Sequence, residues 1–178
     1  MKPWKTKARQ TVLDEKPWLT VEHHTVELPD GQLIPDWPWI ITPDYINVVA
    51  VTGDEHFICF RQVKYGIDGE TLGIVGGYIQ DGETPLAAAQ RELLEETGYE
   101  SANWLSLGSY LVDPNRGIAT GHLFLARQAH YVAPRNADDL EEQELLLLTR
   151  EEIKDALEQG EIKVLAWAAA IAFALRCL

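Results

Sequence analysis

Hydrophobic and polar positions along the 178 residues fall into short alternating or apolar runs bounded by turn residues, with helical spacing in three places only. Residues 20–28 alternate and are rich in Val and Thr. Pro29-Asp30-Gly31 is a turn signal, and residues 32–34 return as a short partner strand that Pro35 stops, which predicts an N-terminal hairpin. Residues 45–51 and 56–62 are near-continuous apolar runs joined by Thr52-Gly53-Asp54-Glu55, a second hairpin made of central strands. Residues 72–76, 104–111, 120–126 and 144–149 are further strand candidates. From Pro85 the pattern turns helical: proline suits a first helical position, residues 86–96 are strong helix formers, and Gly98 is placed to end the helix. Thr149-Arg150-Glu151-Glu152 matches a capping box, which starts a second helix near Arg150 and lets Gly160 end it. Residues 163–178 are apolar on every side apart from Lys163 and Arg176, which suits a buried or interface helix. Their uninterrupted apolar stretch, residues 164–175, is short of the ~20 residues a bilayer span requires.

Strands with one helix inside their order and two at the end predict an α+β chain, arranged as an α/β/α sandwich on a mixed central sheet. A chain of 178 residues buries a core without disulfides. With 46% hydrophobic and 24% charged residues it reads as soluble and globular, and a formal net charge of −13 argues against a nucleic-acid partner. Residues 138–161 hold ten carboxylates against Arg150 and Lys154. Cys59 and Cys177 show no pairing pattern or metal spacing, so a reducing compartment is expected. The basic N-terminus (Lys2, Lys5, Lys7, Arg9) is followed by polar residues 10–16 where a signal peptide needs an apolar run, so the expected location is cytoplasmic. His23 and His24, as strand neighbours, face opposite ways, which favours cross-strand packing over a shared metal. Trp37 and Trp39 are candidates for stacking on a base or sugar and equally for core filling.

The helix from Pro85 carries the chemistry. Glu92, Glu95 and Glu96 are spaced i, i+3, i+4, so three carboxylates share one face beside the apolar stripe Leu86, Ala89, Leu93. Like charges at this spacing cost roughly 0.2–0.5 kcal/mol per pair, which calls for a cation over the cluster. Two cations qualify: Arg91 with solvent, or a hard divalent ion that takes oxygen ligands and leaves positions open for phosphates.

The wider stretch, residues 77–99, resembles a complete Nudix box: Gly77, five residues, Glu83, seven residues, Arg91-Glu92-Leu93, one residue, Glu95-Glu96, one residue, then Gly98 and the apolar Tyr99. Seven positions demand one amino acid each, a chance match below about one in 10⁸ per starting position at ordinary abundances. The resemblance implies the Nudix sandwich and metal-dependent cleavage of a phosphoanhydride. It makes Glu92, Glu95 and Glu96 metal ligands together with the Gly76 carbonyl, and Mg²⁺ the expected ion, with Mn²⁺ as the other candidate. Glu95 and Glu96 are then catalytic. Arg91 fixes the carboxylates by pairing with Glu95 or Glu83.

Beyond the box, the chain resembles ADP-ribose pyrophosphatases and related nucleoside diphosphate sugar hydrolases from about Trp4 to the C-terminal helix. That resemblance makes residues 1–44 an N-terminal β extension, exchanged between the subunits of a homodimer, and residues 45–178 the hydrolase domain. Relatives carry a proline about fifteen residues after the box, where this chain has Pro114, followed here by Asn115 and Arg116. They take a general base from a late acidic loop, which points to Glu141. Arg61 and Lys64, at a strand end, are candidates for gripping the anionic substrate together with Pro114 and Arg116. Two positions depart from the pattern: Gly73 stands where relatives have a glutamate, and Lys64 where they often have a phosphate-gripping arginine, which lysine does not match bidentately. These departures point to a different nucleotide sugar or to weaker activity on ADP-ribose. Other readings are a house-cleaning nucleoside triphosphate pyrophosphohydrolase and a non-catalytic Nudix-fold sensor. The three intact glutamates oppose the second.

Overall fold

The computed structural model describes residues 1–136 and 142–178. The chain forms two compact units, one of residues 1–44 and 110–120, the other of residues 45–109 and 121–178.

In the first unit three antiparallel strands, β1 (Lys5–Glu15), β2 (Leu19–Glu27) and β3 (Leu33–Ile41), form a sheet in the order β1-β2-β3. The sequence pattern predicts only a hairpin here; the structure adds one strand before it, β1, and lengthens the return strand to Ile41. Every residue of β1 is exposed, so the strand has no buried face and no alternation to betray it. Pro35 does not stop β3, which runs on through Pro38 to Ile41. As an outer strand, β3 can leave the missing proline N–H unpaired on its open side. His24 is buried, hydrogen-bonded to Glu22 at 2.7 Å and stacked on Trp39 across the strands, whereas His23 lies 3.8 Å from Asp36. Trp37 donates its indole N–H to the Asn115 carbonyl at 2.7 Å and meets Trp4 edge to face.

The second unit is built on a mixed sheet whose central order is β11-β5-β4-β10-β8. Its strands are β4 (Tyr45–Thr52), β5 (Phe57–Val63), β6 (Glu70–Gly73), β7 (Val75–Tyr78), β8 (Tyr99–Glu100), β9 (Asn103–Asp113), β10 (Ile118–Tyr131) and β11 (Gln143–Leu148), of which β9 and β10 continue into the first unit. β10 lies parallel to β4, and the pairs β4–β5 and β5–β11 are antiparallel. Three helices cover the sheet: α1 (Pro85–Thr97), α2 (Arg150–Glu158) and α3 (Leu165–Leu175). Alternate residues of β4 go to opposite cores. Ile46, Val48 and Ala50 pack with Ala88, Ala89 and Leu93 of α1, and Val49 and Val51 pack with Ile153 and Ala156 of α2 and Ala170, Ile171 and Ala174 of α3. One helix on one face and two on the other is the α/β/α arrangement predicted.

One detail of the sheet makes the site. β4 and β5 pair only at Ala50↔Ile58 and Val51↔Phe57. Beyond that point β4 takes β7 as partner and β5 takes β6, so the two strands part. The single strand predicted over residues 72–76 is therefore two, interrupted at Ile74 because each half serves a different neighbour.

Candidate active site

α1 begins and ends as its residues dictate. The Thr84 hydroxyl accepts from the Ala87 N–H at 3.2 Å, Pro85 opens the first turn, and Gly98 closes the helix at φ 75°, donating its N–H to the Leu94 carbonyl at 2.8 Å. A side chain at Gly98 would run into the Ala133 carbonyl, 1.9 Å from where its Cβ would stand.

Arg91 organises the acids. Its guanidinium grips Glu83 bidentately (Nε–Oε1 3.0 Å, Nη2–Oε2 3.1 Å), and Nη1 reaches Glu92 Oε1 at 2.7 Å and Glu95 Oε2 at 3.0 Å. Nη2 also donates to the Tyr78 carbonyl at 3.2 Å. One cation thus ties the loop residue Glu83 to the helix and, through the Tyr78 carbonyl, links β7 to α1. The Arg91 hydrogen bonds hold the Glu83 carboxyl below the usual carboxylate range. Glu92 moves the other way, because burial pushes its carboxyl up against the pull of Arg91. The Glu92 carboxylate lies on the bare α-carbon of Gly77, where a Cβ would sit 2.0 Å from Oε1 and 2.7 Å from Oε2.

The donor types suit a hard divalent cation: carboxylate oxygens on one helix face, next to a backbone stripped of side chains at Gly76 and Gly77. Glu92 and Glu95 each give Arg91 one oxygen only. Among the described residues no three Asp, Glu, His or Cys side chains already converge on one point. The acids fit a metal in kind and in helical register, and closing on it asks side chains to turn.

Where β4 and β5 part, a cavity of about 320 Å³ opens. It is lined by Gly76, Gly77 and Glu96 on the box side, Lys64 at the end of β5, Asn47 and Gln62 from the parted strands, and Trp167 of α3. Glu96 and Lys64, both predicted from sequence, are thereby brought together with the glycine pair. Arg61 is not among the lining residues: it lies 3.6 Å from Glu70 and lines an adjoining groove with Glu142 and Glu144, which shares Gln62 and Gln143 with the cavity. Its neighbour Gln62 takes the inward position, as alternation along a strand requires. Pro114 and Arg116 belong to the first unit, at the β9–β10 turn, where Asp113 accepts from the N–H groups of Asn115 and Arg116 and from the Arg116 guanidinium. Glu141 lies outside the described residues. Cys59 is buried in the core on the α2–α3 face, and burial pushes its thiol up to about 12, so it is no nucleophile.

The sequence did not mark Asn47, Gln62 or Trp167 as site residues. Asn47 had a usable signal, being the one polar residue in the apolar run of β4.

A helix carrying Arg-Glu-Leu-x-Glu-Glu against a glycine pair, on an α/β/α sheet, defines a class of phosphoanhydride hydrolases, and comparison with known proteins agrees. The chain belongs to the Nudix family, whose NUDIX domain model matches residues 42–168, and it is a Nudix hydrolase. A second model, the nucleoside diphosphate sugar hydrolase N-terminal domain, matches residues 4–40. The chain is 30% identical to a methanol dehydrogenase activator of Bacillus methanolicus over 75% of its own length and 70% of that protein. It is 28% identical to an ADP-ribose pyrophosphatase of Bacillus subtilis (strain 168), covering 76% of this chain and 72% of the relative. Among solved structures, an ADP compounds hydrolase superposes with a TM-score of 0.85 over 100% of this chain and 95% of that one, at 21% identity, which bears out the predicted Nudix sandwich.

Proposed function

We propose that the enzyme hydrolyses the pyrophosphate bond of a nucleoside diphosphate linked to a sugar, ADP-ribose-like, adding water to give a nucleoside monophosphate and a sugar phosphate. The observation that carries this reading is the cavity in which Glu96, Lys64 and the Gly76-Gly77 backbone meet beside the glutamate face of α1. The nucleoside diphosphate sugar hydrolase match over residues 4–40 supports the substrate class, as does the similarity to an ADP-ribose pyrophosphatase.

Glu92, Glu95, Glu96 and the Gly76 carbonyl are the proposed ligands of a divalent cation, Mg²⁺ first and Mn²⁺ second. Bound there, such an ion neutralises phosphate charge and makes a coordinated water more acidic. Lys64 contributes a point charge toward the diphosphate. Arg91 holds Glu83, Glu92 and Glu95 in place and so acts as a positioning residue. Glu141 is the proposed general base. Arg61, Pro114 and Arg116 are the other proposed substrate-binding residues; of the four, only Lys64 lines the cavity. Residues 1–44 are proposed as an extension that builds a homodimer, with residues 45–178 as the hydrolase domain, working in the cytoplasm.

The test is a substrate panel of ADP-ribose, other nucleotide sugars, dinucleotides and nucleoside triphosphates, run with and without Mg²⁺. Nucleotide sugars are expected to be cleaved fastest, only with metal. Glu96→Gln should lower turnover by at least about 10²-fold, the loss typical of a key catalytic group. Preference for triphosphates, or full activity in chelator, overturns the reading.

A further inference from the structure

Two of the amide side chains in the cavity wall, Asn47 and Gln62, take no part in the proposed metal and phosphate chemistry. Asn47 and Gln62 are 3% and 4% exposed, and the Asn47 Oδ1 and Gln62 Oε1 oxygens accept no hydrogen bond from the protein. A buried amide oxygen left unmet costs about 1–3 kcal/mol, and because both residues line the cavity, a terminal turn of each amide would bring its oxygen to an occupant that meets it. Both amides occupy space that a glycine leaves open. A Cβ on Gly76 would lie 2.4 Å from Asn47 Nδ2, and one on Gly73 would lie 2.1 Å from Gln62 Nε2 and 2.9 Å from the Trp167 ring. Gly73 therefore lets Gln62 and the indole close together in the wall.

We propose that this wall is a sugar subsite, in which Asn47 and Gln62 accept from hydroxyls of the substrate's sugar while its ring carbons pack on Trp167. The inference rests on the nucleotide-sugar reading above and deepens it. A phosphate has no donor to offer two carbonyl oxygens and belongs with Lys64. A base presents a fixed donor and acceptor pattern. A hydroxyl both donates and accepts, so a ring of hydroxyls satisfies an amide pair whichever way each amide turns. An aromatic wall beside amide groups matches a sugar ring, which has apolar faces and a polar rim. About 320 Å³ is near the lower bound for ligand pockets and holds one ring moiety rather than a whole nucleotide sugar. Gly73, where relatives of the resembled type carry a glutamate, is on this account the residue that makes room for the wall.

The test compares kcat/KM on a nucleoside diphosphate sugar with kcat/KM on the same nucleoside diphosphate esterified to a short alkyl alcohol. Asn47→Leu and Gln62→Met keep shape and remove the acceptor. Each should lower the sugar-to-alkyl ratio by about tenfold, the scale of one hydrogen bond. Wild-type enzyme given deoxy-sugar analogues supplies a second arm that needs no variant to fold, and at least one deoxygenation should cost a similar factor. An unchanged ratio, or indifference to every deoxy analogue, overturns the subsite while leaving the nucleotide-sugar reading intact. Wild-type enzyme that cleaves no nucleotide sugar overturns both.

Discussion

Gly77 shows how one missing side chain sets the site. Its α-carbon is the floor on which the Glu92 carboxylate rests, so Gly77→Ala drives a methyl group into both oxygens. The atoms displaced are the far end of a flexible side chain, which can swing aside at little cost to the fold. Activity has no such escape, since Glu92 leaves the face it shares with Glu95 and Glu96. Gly77→Ala is expected to lower turnover at least about tenfold while moving the unfolding free energy by less than about 1 kcal/mol, on the scale of ordinary substitutions. Parallel kinetics and thermal melts check this. A stable variant with wild-type turnover would show that Glu92 does not need its present seat. At the same scale, Arg91 gives four of its hydrogen bonds to three carboxylates, which fits the positioning role proposed for it.

At the scale of elements, α1 depends on its ends. Thr84→Ala removes the hydroxyl that caps the Ala87 N–H and should cost about 1 kcal/mol, read by denaturant titration. Because the capped turn adjoins Glu83, the variant should also raise the metal concentration needed for half-maximal rate. An undisturbed midpoint and metal dependence would mean the Thr84 cap contributes nothing. This helix and α2 were legible in the sequence because their signals are local: a cap residue, a proline or capping box, and a glycine past the end. Strand signals are legible only where one face is buried. β4, β5 and β11 announced themselves through apolar runs, whereas β1 is exposed along its whole length and left no pattern. The break at Ile74 was invisible because it is set by which neighbour each half pairs with, a long-range fact. The site divides the same way. The box spells out Glu92, Glu95, Glu96 and Arg91 within one segment, while Asn47, Gln62 and Trp167 meet only when β4 and β5 part and α3 folds over the gap.

For the whole molecule, the exposed strand β1 poses the remaining question. It is an outer strand, paired among the described residues with β2 alone, and carries the exposed apolar residues Val12 and Leu13, with Trp4 and Trp18 exposed just beyond its two ends. An open edge of that kind is a template for another chain. Its charges are ordered, with Lys5, Lys7 and Arg9 in the first half and Asp14 and Glu15 at the end. Two copies laid antiparallel about Gln10 would set Lys5 against Glu15 and Lys7 and Ala8 against Leu13 and Val12, a self-complementary arrangement of the kind a two-fold axis requires. We therefore expect a dimer of twice 20.0 kDa in sedimentation at micromolar concentration. Replacing Val12 and Leu13 together by Glu should split it, since each strand would then present four consecutive acids to the other. Monomeric wild-type protein, or a double variant that stays dimeric, would remove β1 as the interface. The cavity and the glutamate face of α1 lie in the other unit, so activity in a split dimer separates assembly from chemistry. Retained turnover would show that the cavity between β4 and β5 is complete in one chain, and lost turnover that the partner's extension finishes it.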